Sequence, residues 1–151
     1  MRLKMKNILL LILFILCTVL LAEEEDNIKD SVKLLELNIG DNDRTIYRIP
    51  KTKMATLPKW KPTDEANIPL PMNKAIELSQ KWLKEKNPKI SEFKLHRFSI
   101  INMNIFSSKE EEKWYYEFQF SPILDGKMMF GTMYYVLVLF NGDIVEPQKI
   151  K

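Results

Sequence analysis

One cysteine, one histidine and four glycines in 151 residues set limits on what this chain can do chemically. The cysteine, Cys17, lies inside an N-terminal apolar run, so the rest of the chain uses neither disulfides nor thiol chemistry. A single histidine, His96, cannot assemble the common zinc ligand sets without cysteine partners. It lies in a predicted strand with no motif around it, which fits a surface or core residue better than a catalyst. Four glycines leave no Gly-rich phosphate cradle. Gly40-Asp41-Asn42-Asp43 has the acid spacing of calcium loops, but the ligand pattern does not continue, so it reads as a turn. Glu110-Glu111-Glu112 lies in a hydrophilic loop and reads as solubilising charge rather than as an acid–base pair. No catalytic residue, metal or cofactor is expected, and the chain is read as non-enzymatic.

Charge is short as well, once the leader is set aside. The net charge of +3 resides in Arg2, Lys4 and Lys6, so the chain beyond residue 22 is neutral overall. A neutral chain without a concentrated basic face is not expected to bind nucleic acid.

What is present begins with that leader. The three basic residues precede an apolar stretch over 8–22, interrupted only by Thr18 and ended by Glu23-Glu24-Glu25-Asp26. This is the layout of a secretory signal peptide, with Ala22 at the cleavage point. The processed protein is then secreted or periplasmic, with no stable membrane insertion. An uncleaved N-terminal anchor is the alternative, although fifteen helical residues reach only about 22 Å against a hydrocarbon core of about 30 Å. Lipid modification at Cys17 is a further reading. Leu16 and Ile15 before it are larger than that processing prefers.

Four segments follow from the patterning: 1–22 as signal peptide, 23–49 as an N-terminal segment, 50–71 as a connector and 72–151 as the main domain. In the second, "SVKLLELNI" (31–39) and "RTIYRI" (44–49) flank the Gly/Asp/Asn cluster and read as a hairpin. The first run also fits a helix, because Val32, Leu35 and Ile39 are spaced i, i+3, i+7. Pro50, Pro58, Pro62, Pro69 and Pro71 make 50–71 an extended connector, pinned to the domain by Trp60 and Leu57.

Residues 73–86 carry the helical period. Met72, Ala75, Ile76, Ser79, Trp82 and Leu83 form one stripe, and Glu77–Lys81 and Lys81–Glu85 are set for ion pairs on the other face. Asn73 is placed to cap the start, and Asn87-Pro88 ends the helix. Ser79 within the stripe reads as a packing residue that permits close approach to a sheet.

Beyond the helix the period changes to two. A long strand over 93–106 has its apolar residues change face near Phe98, which predicts a bulge. "WYYEFQF" (114–120) puts Trp114, Tyr116, Phe118 and Phe120 on one face and Tyr115, Glu117 and Gln119 on the other. A connector over 121–130 leads to "GTMYYVLVLFNGDIVEP" (131–147), an interior strand with apolar residues on both faces. Asn141-Gly142 predicts a type I′ turn. Ile144-Val145 forms a short last strand stopped by Pro147. The fold class is α+β: one main amphipathic helix packed on an antiparallel sheet of about four strands, preceded by the N-terminal hairpin and the Pro-rich connector.

"KAIELSQKWL" (74–83), "WYYEFQF" (114–120) and "MYYVLVLFNGDIVEP" (133–147) resemble small exported domains of the PepSY kind, and more distantly the cystatin-like fold. The resemblance covers 69–147. It implies an amphipathic helix before antiparallel strands, and a binding or regulatory module acting on exported proteins, peptidases among them. Pro71 stands where that family usually has a capping serine, and 121–130 is longer than its usual hairpin. The Gln-x-Val-x-Gly loop of cystatins is absent, so protease inhibition is not implied.

A partner site is expected on apolar or aromatic surface, because polar chemistry is missing. Met128-Met129-Phe130, beside the Asp125-Gly126-Lys127 turn, forms an adaptable contact patch if exposed and ordinary core if tucked under the N-terminal hairpin. Tyr115 and Tyr134 are read as sharing an open sheet face, with His96 nearby. The partner is expected to be an unknown protein or peptide. Alternatives are a small ligand held between helix and sheet, or a structural role in the cell envelope through the Pro-rich segment or the N-terminus.

Overall fold

The computed structural model describes residues 30–39, 43–103, 112–129 and 131–150. The expected leader, the expected turn at 40–42 and Phe130 lie outside the described residues.

A hairpin comes first. β1 (Ser31–Ile39) pairs antiparallel with β2 (Asp43–Pro50), with Val32 opposite Ile49 and Leu35 opposite Tyr47. The register shifts between Lys33 and Leu35, leaving Leu34 as the extra residue of a bulge. A bulge of this kind keeps Val32, Leu35 and Leu37 on one face. The i, i+3 spacing of Val32 and Leu35 that also fitted a helix therefore belongs to a bulged strand.

The connector is not extended throughout. Between Pro50 and Pro58 the proline-free residues coil into α1 (Lys51–Thr56), and a 3₁₀ turn occupies Glu65–Asn67. Pro50 precedes the first turn, where its missing donor would have had no intrahelical partner. Lys113, only 2% exposed, closes the other end of α1. Its ammonium donates to Met54 O at 2.7 Å and Ala55 O at 3.0 Å, satisfying carbonyls that a helix end leaves open. Leu57 is buried, and Trp60 makes edge contacts with Trp114 (5.5 Å) and Phe140 (5.6 Å), so both pin the segment as expected.

The main helix, α2 (Met72–Lys86), starts directly after Pro71 without a side-chain cap, so Asn73 is helical rather than capping. Ala75, Ser79 and Leu83 form its buried face, and Ser79 Oγ donates to Ala75 O at 2.7 Å. The serine is thus a packing residue with its hydroxyl satisfied inside the helix. On the outer face Glu77 pairs with Lys74 at 2.8 Å rather than with Lys81. Asn87 ends the helix, its backbone and side-chain nitrogens both donating to Leu83 O.

β3 (Glu92–Asn102), β4 (Trp114–Leu124), β6 (Tyr134–Leu139) and β7 (Ile144–Val145) form the main sheet in the order β3-β4-β6-β7, with β5 (Lys127–Met128) beside the end of β4. All pairings are antiparallel. The segment expected as a long connector is mostly strand. β4 runs through Pro122 to Leu124, and Asp125 (φ 49°) and Gly126 (φ 75°) make a two-residue turn. Positive φ at both central positions is the type I′ signature.

Asn141-Gly142 does not have it. Only Gly142 has positive φ (91°), with Gly142 N–H donating to Leu139 O and Leu139 N–H to Asp143 O, both at 2.8 Å. This is a longer loop closed by a left-handed glycine. Gly142→Ala is expected to lower stability by about 1 kcal/mol in urea unfolding. The added methyl would meet only Leu78 Cδ1 at 3.7 Å, so the loss comes from backbone conformation.

Pro147 does not end the chain's last strand. It opens β8 (Pro147–Ile150), which pairs with β2 and completes a three-stranded sheet in the order β1-β2-β8. Proline is tolerated as the first residue of an edge strand. The chain therefore steps from one sheet to the other at Glu146.

Three layers result. α2 and the connector cover the front of the main sheet over Tyr116, Phe118, Phe120, Val136 and Val138. The β1-β2-β8 sheet covers the back over Tyr115, Leu137 and Leu139. The interior strand β6 is thus buried on both faces, with a helix on one side and the N-terminal hairpin on the other.

Candidate functional site

Register decides where the predicted site residues lie. β4 and β6 pair with Phe120 opposite Tyr134 and Tyr115 opposite Leu139. Residues directly opposite share a face. Tyr134 therefore belongs to the front with Phe120, and Tyr115 to the back with Leu139, so the expected shared open face does not form. An offset of one residue in pairing is enough to reverse such an assignment. Tyr115 is buried beneath the hairpin and its hydroxyl donates to Leu34 O at 3.1 Å. Tyr134 is half-buried, edge-on to Phe93 at 5.3 Å.

Burial has an electrostatic signature in this back layer. Desolvation, helped by the charge of Glu117, pushes the Tyr115 hydroxyl up to about 12. Tyr47, whose hydroxyl donates to Tyr135 O at 3.0 Å, is raised to about 12 by desolvation first, then by Tyr135 and Glu117.

The methionine patch stands at the far end of β4. Met128 is half-buried and pairs with Ile123, while Met129 is 41% exposed. Met129 N–H donates to Pro122 O at 3.0 Å, and the Met133 sulfur lies 3.6 Å from Ser121 Oγ. Leu124 at the end of β4, and Met129 and Met133 in the loop that runs beside it, are all exposed.

Two features had little voice in the sequence. One is the edge of β3, where the register shift between Leu95 and Arg97 makes His96 a bulged, exposed residue. The bulge keeps Phe93 and Leu95, then Phe98 and Ile100, on the helix-facing side. Phe98 is nonetheless 45% exposed and Ile100 37%. The change of apolar parity near Phe98 was the signal.

The other is a cleft of about 280 Å³ beside Trp60, lined also by Lys59, Lys61, Asp64, Asn67 and Glu112. Trp60 Nε1 donates to Asp64 O at 2.8 Å and Asn67 Nδ2 to Asp64 Oδ1 at 2.9 Å. Glu112 Oε2 is shielded from solvent without a hydrogen-bond partner.

Among the described residues no group of three or more His, Cys, Asp or Glu converges to hold a metal, and no helix is long and apolar enough to cross a membrane. Fold and surface together define a class: a small α+β domain with a doubly covered antiparallel sheet, exposing apolar side chains at one strand end and along one edge. No family model, curated protein or solved structure matches the chain.

Proposed function

We propose that this chain is an exported, non-enzymatic binding or regulatory module that recognises protein or peptide in the envelope or the extracellular space. The observation that carries the reading is the exposure of Leu124, Met129 and Met133 around the end of β4. Unbranched, polarizable methionine side chains adapt to varied partner surfaces, and their exposure on a domain with a well-filled interior has no packing purpose. The charge-flanked apolar leader supports export, and the PepSY-like pattern of 74–83, 114–120 and 133–147 supports a module acting on other exported proteins. Met128, Met129 and Phe130 are the partner-binding residues in this reading, with Leu124 and Met133 beside them.

The test is the triple variant Met128→Ser, Met129→Ser and Phe130→Ser, compared with the parent for stability and for partner capture in the native compartment. Unfolding free energy should change by about 1 kcal/mol. Captured partner should fall at least tenfold. Loss of the folded state would assign these residues to the core and end the reading.

The small-ligand alternative is favoured by one observation, the cleft at Trp60 with its solvent-shielded carboxylate oxygen. It moves that alternative away from the helix–sheet interface, where Ala75, Ser79 and Leu83 are fully buried against the sheet.

A further inference from the structure

We propose that the cleft beside Trp60 binds a primary alkylammonium group, which donates to the Glu112 carboxylate while its alkyl chain lies on the Trp60 ring. The proposal rests on the small-ligand reading of this cleft, for which it names the ligand class, and it is separate from the methionine surface.

Contacts on both sides of Glu112 set it against Trp60. Trp60 N–H donates to Glu112 O at 3.0 Å, and Trp114 Nε1 donates to Trp60 O at 2.9 Å. Between Glu112 and Trp114, Lys113 holds α1 through Met54 O and Ala55 O. The walls of the cleft are therefore fixed to each other without a ligand. Its volume of about 280 Å³ lies at the small end of the usual range for small-molecule sites. It suits a compact ligand or the end of one side chain.

The groups left unused in the walls select the occupant. Trp60 has one side-chain donor, Nε1, and commits it to Asp64 O at 2.8 Å, so it offers the cleft only ring surface. Asn67 Nδ2 likewise donates to Asp64 Oδ1 at 2.9 Å. Glu112 is the opposite case, because its Oε2 is shielded from water and accepts from no donor. Buried acceptors in proteins almost always have a partner, and an ionised one without a donor is costly. A charged donor reaching this carboxylate from the cleft therefore gains more than it would at a solvated one. The indole beside it attracts cations and covers alkyl carbon. Lys59 and Lys61 also line the cleft, yet neither donates to Glu112 Oε2. Both are exposed, so an anion arriving here would meet ammonium groups that water already solvates. With Asp64 and Glu112 they leave the walls neutral, so selection falls to the hydrogen bond rather than to net attraction.

NMR titration of the isotope-labelled protein with n-butylammonium tests the proposal, read at the Trp60 indole N–H and the backbone amides of Lys61 and Glu112. Saturable shifts at these groups are expected. Tetramethylammonium, which has the charge but no N–H, should bind roughly tenfold more weakly, as should n-butanol, which has a donor but no charge. Glu112→Gln keeps the side chain's size and should weaken n-butylammonium roughly tenfold, with the urea midpoint of the free protein at or above the parent's. Lys61→Gln, on an exposed side chain, removes a like charge and should strengthen binding severalfold. N-acetyl-lysine methylamide separates the two sources of such a group. Tighter binding than n-butylammonium assigns the cleft to a lysine side chain of a peptide, and weaker binding assigns it to a free amine. No saturable shift with n-butylammonium, equal binding of tetramethylammonium, or full affinity in Glu112→Gln overturns the proposal. Butyrate shifting the same groups in place of n-butylammonium would retain the small-ligand reading and remove the ammonium. Silence of all these probes at the cleft would remove both and leave the methionine surface untouched.

Discussion

Phe118→Ala is expected to lower the unfolding free energy by about 3–5 kcal/mol, whereas Phe98→Ala, at its cross-strand partner, should change it by less than about 1 kcal/mol. The two phenylalanines face each other across β3 and β4 and share the front of the sheet. They differ in what lies above them. Phe118 is fully buried, stacked on Tyr116 at 5.5 Å and against Phe120 at 6.1 Å, with Val136 opposite on β6. Deleting its ring removes transfer energy and leaves a cavity that an interior strand cannot close by moving. Phe98 at the uncovered edge already meets water, so deletion removes little. A domain of this size typically has about 5–15 kcal/mol of stability in all, so the first variant should sit close to unfolding. Urea midpoints at unchanged slope measure both. Equal losses would show that Phe98 is covered.

The sequence was most legible where one pairing period ran unbroken. The stripe of α2 and the alternation of Trp114–Phe120 and Tyr134–Phe140 read correctly because local periodicity there coincides with burial on both sides. It was least legible where a bulge breaks the period. In β1 the extra Leu34 turns a strand into an apparent helix; in β3 the helix-facing residues pass from Phe93 and Leu95 to Phe98 and Ile100, which shows a bulge without showing that His96 is its extra residue. α1 and its tie to Lys113 depend on a contact 58 or 59 residues away, which no local pattern carries. β8 forms because β2 offers an edge, so Pro147 opens a strand instead of stopping one. The candidate site divides the same way. Exposure of Met129 follows from its place beside a turn, but the faces of Tyr115 and Tyr134 depend on the β4–β6 register, a long-range property. Turn chemistry misled once: Asp125-Gly126 holds the type I′ geometry expected of Asn141-Gly142.

Raising the pH from about 10 to about 12 should unfold the protein or detach its back layer, because Tyr47 and Tyr115 lose their place there when ionised. A tyrosine in the unfolded chain titrates near 10, and burial holds both of these at about 12. The folded state therefore keeps protons that the unfolded state releases. Stability from this source is fully present below pH 10 and is lost as the pH rises through the folded values. A two-unit difference corresponds to about 2.7 kcal/mol at most for each hydroxyl. Water reaching the margins of the layer reduces that to about 1–2 kcal/mol each. Tyr116, also raised by burial, adds in the same direction. Titration of tyrosinate absorbance should show a delayed group that ionises together with loss of tertiary structure, and urea midpoints should decline over the same pH window. Tyr47→Phe with Tyr115→Phe should flatten that decline while losing about 1 kcal/mol per hydrogen bond at neutral pH, since their hydroxyls no longer hold Tyr135 O and Leu34 O. The two bonds join the hairpin to the main sheet from opposite sides of the interface: Tyr47 reaches from β2 to β6, and Tyr115 from β4 to β1. Ordinary titration of every tyrosine near 10, with the fold intact, would mean that water reaches both hydroxyls. In that case the β1-β2-β8 sheet is not a lasting cover for Leu137 and Leu139, and the back of the main sheet becomes a second apolar surface for a partner.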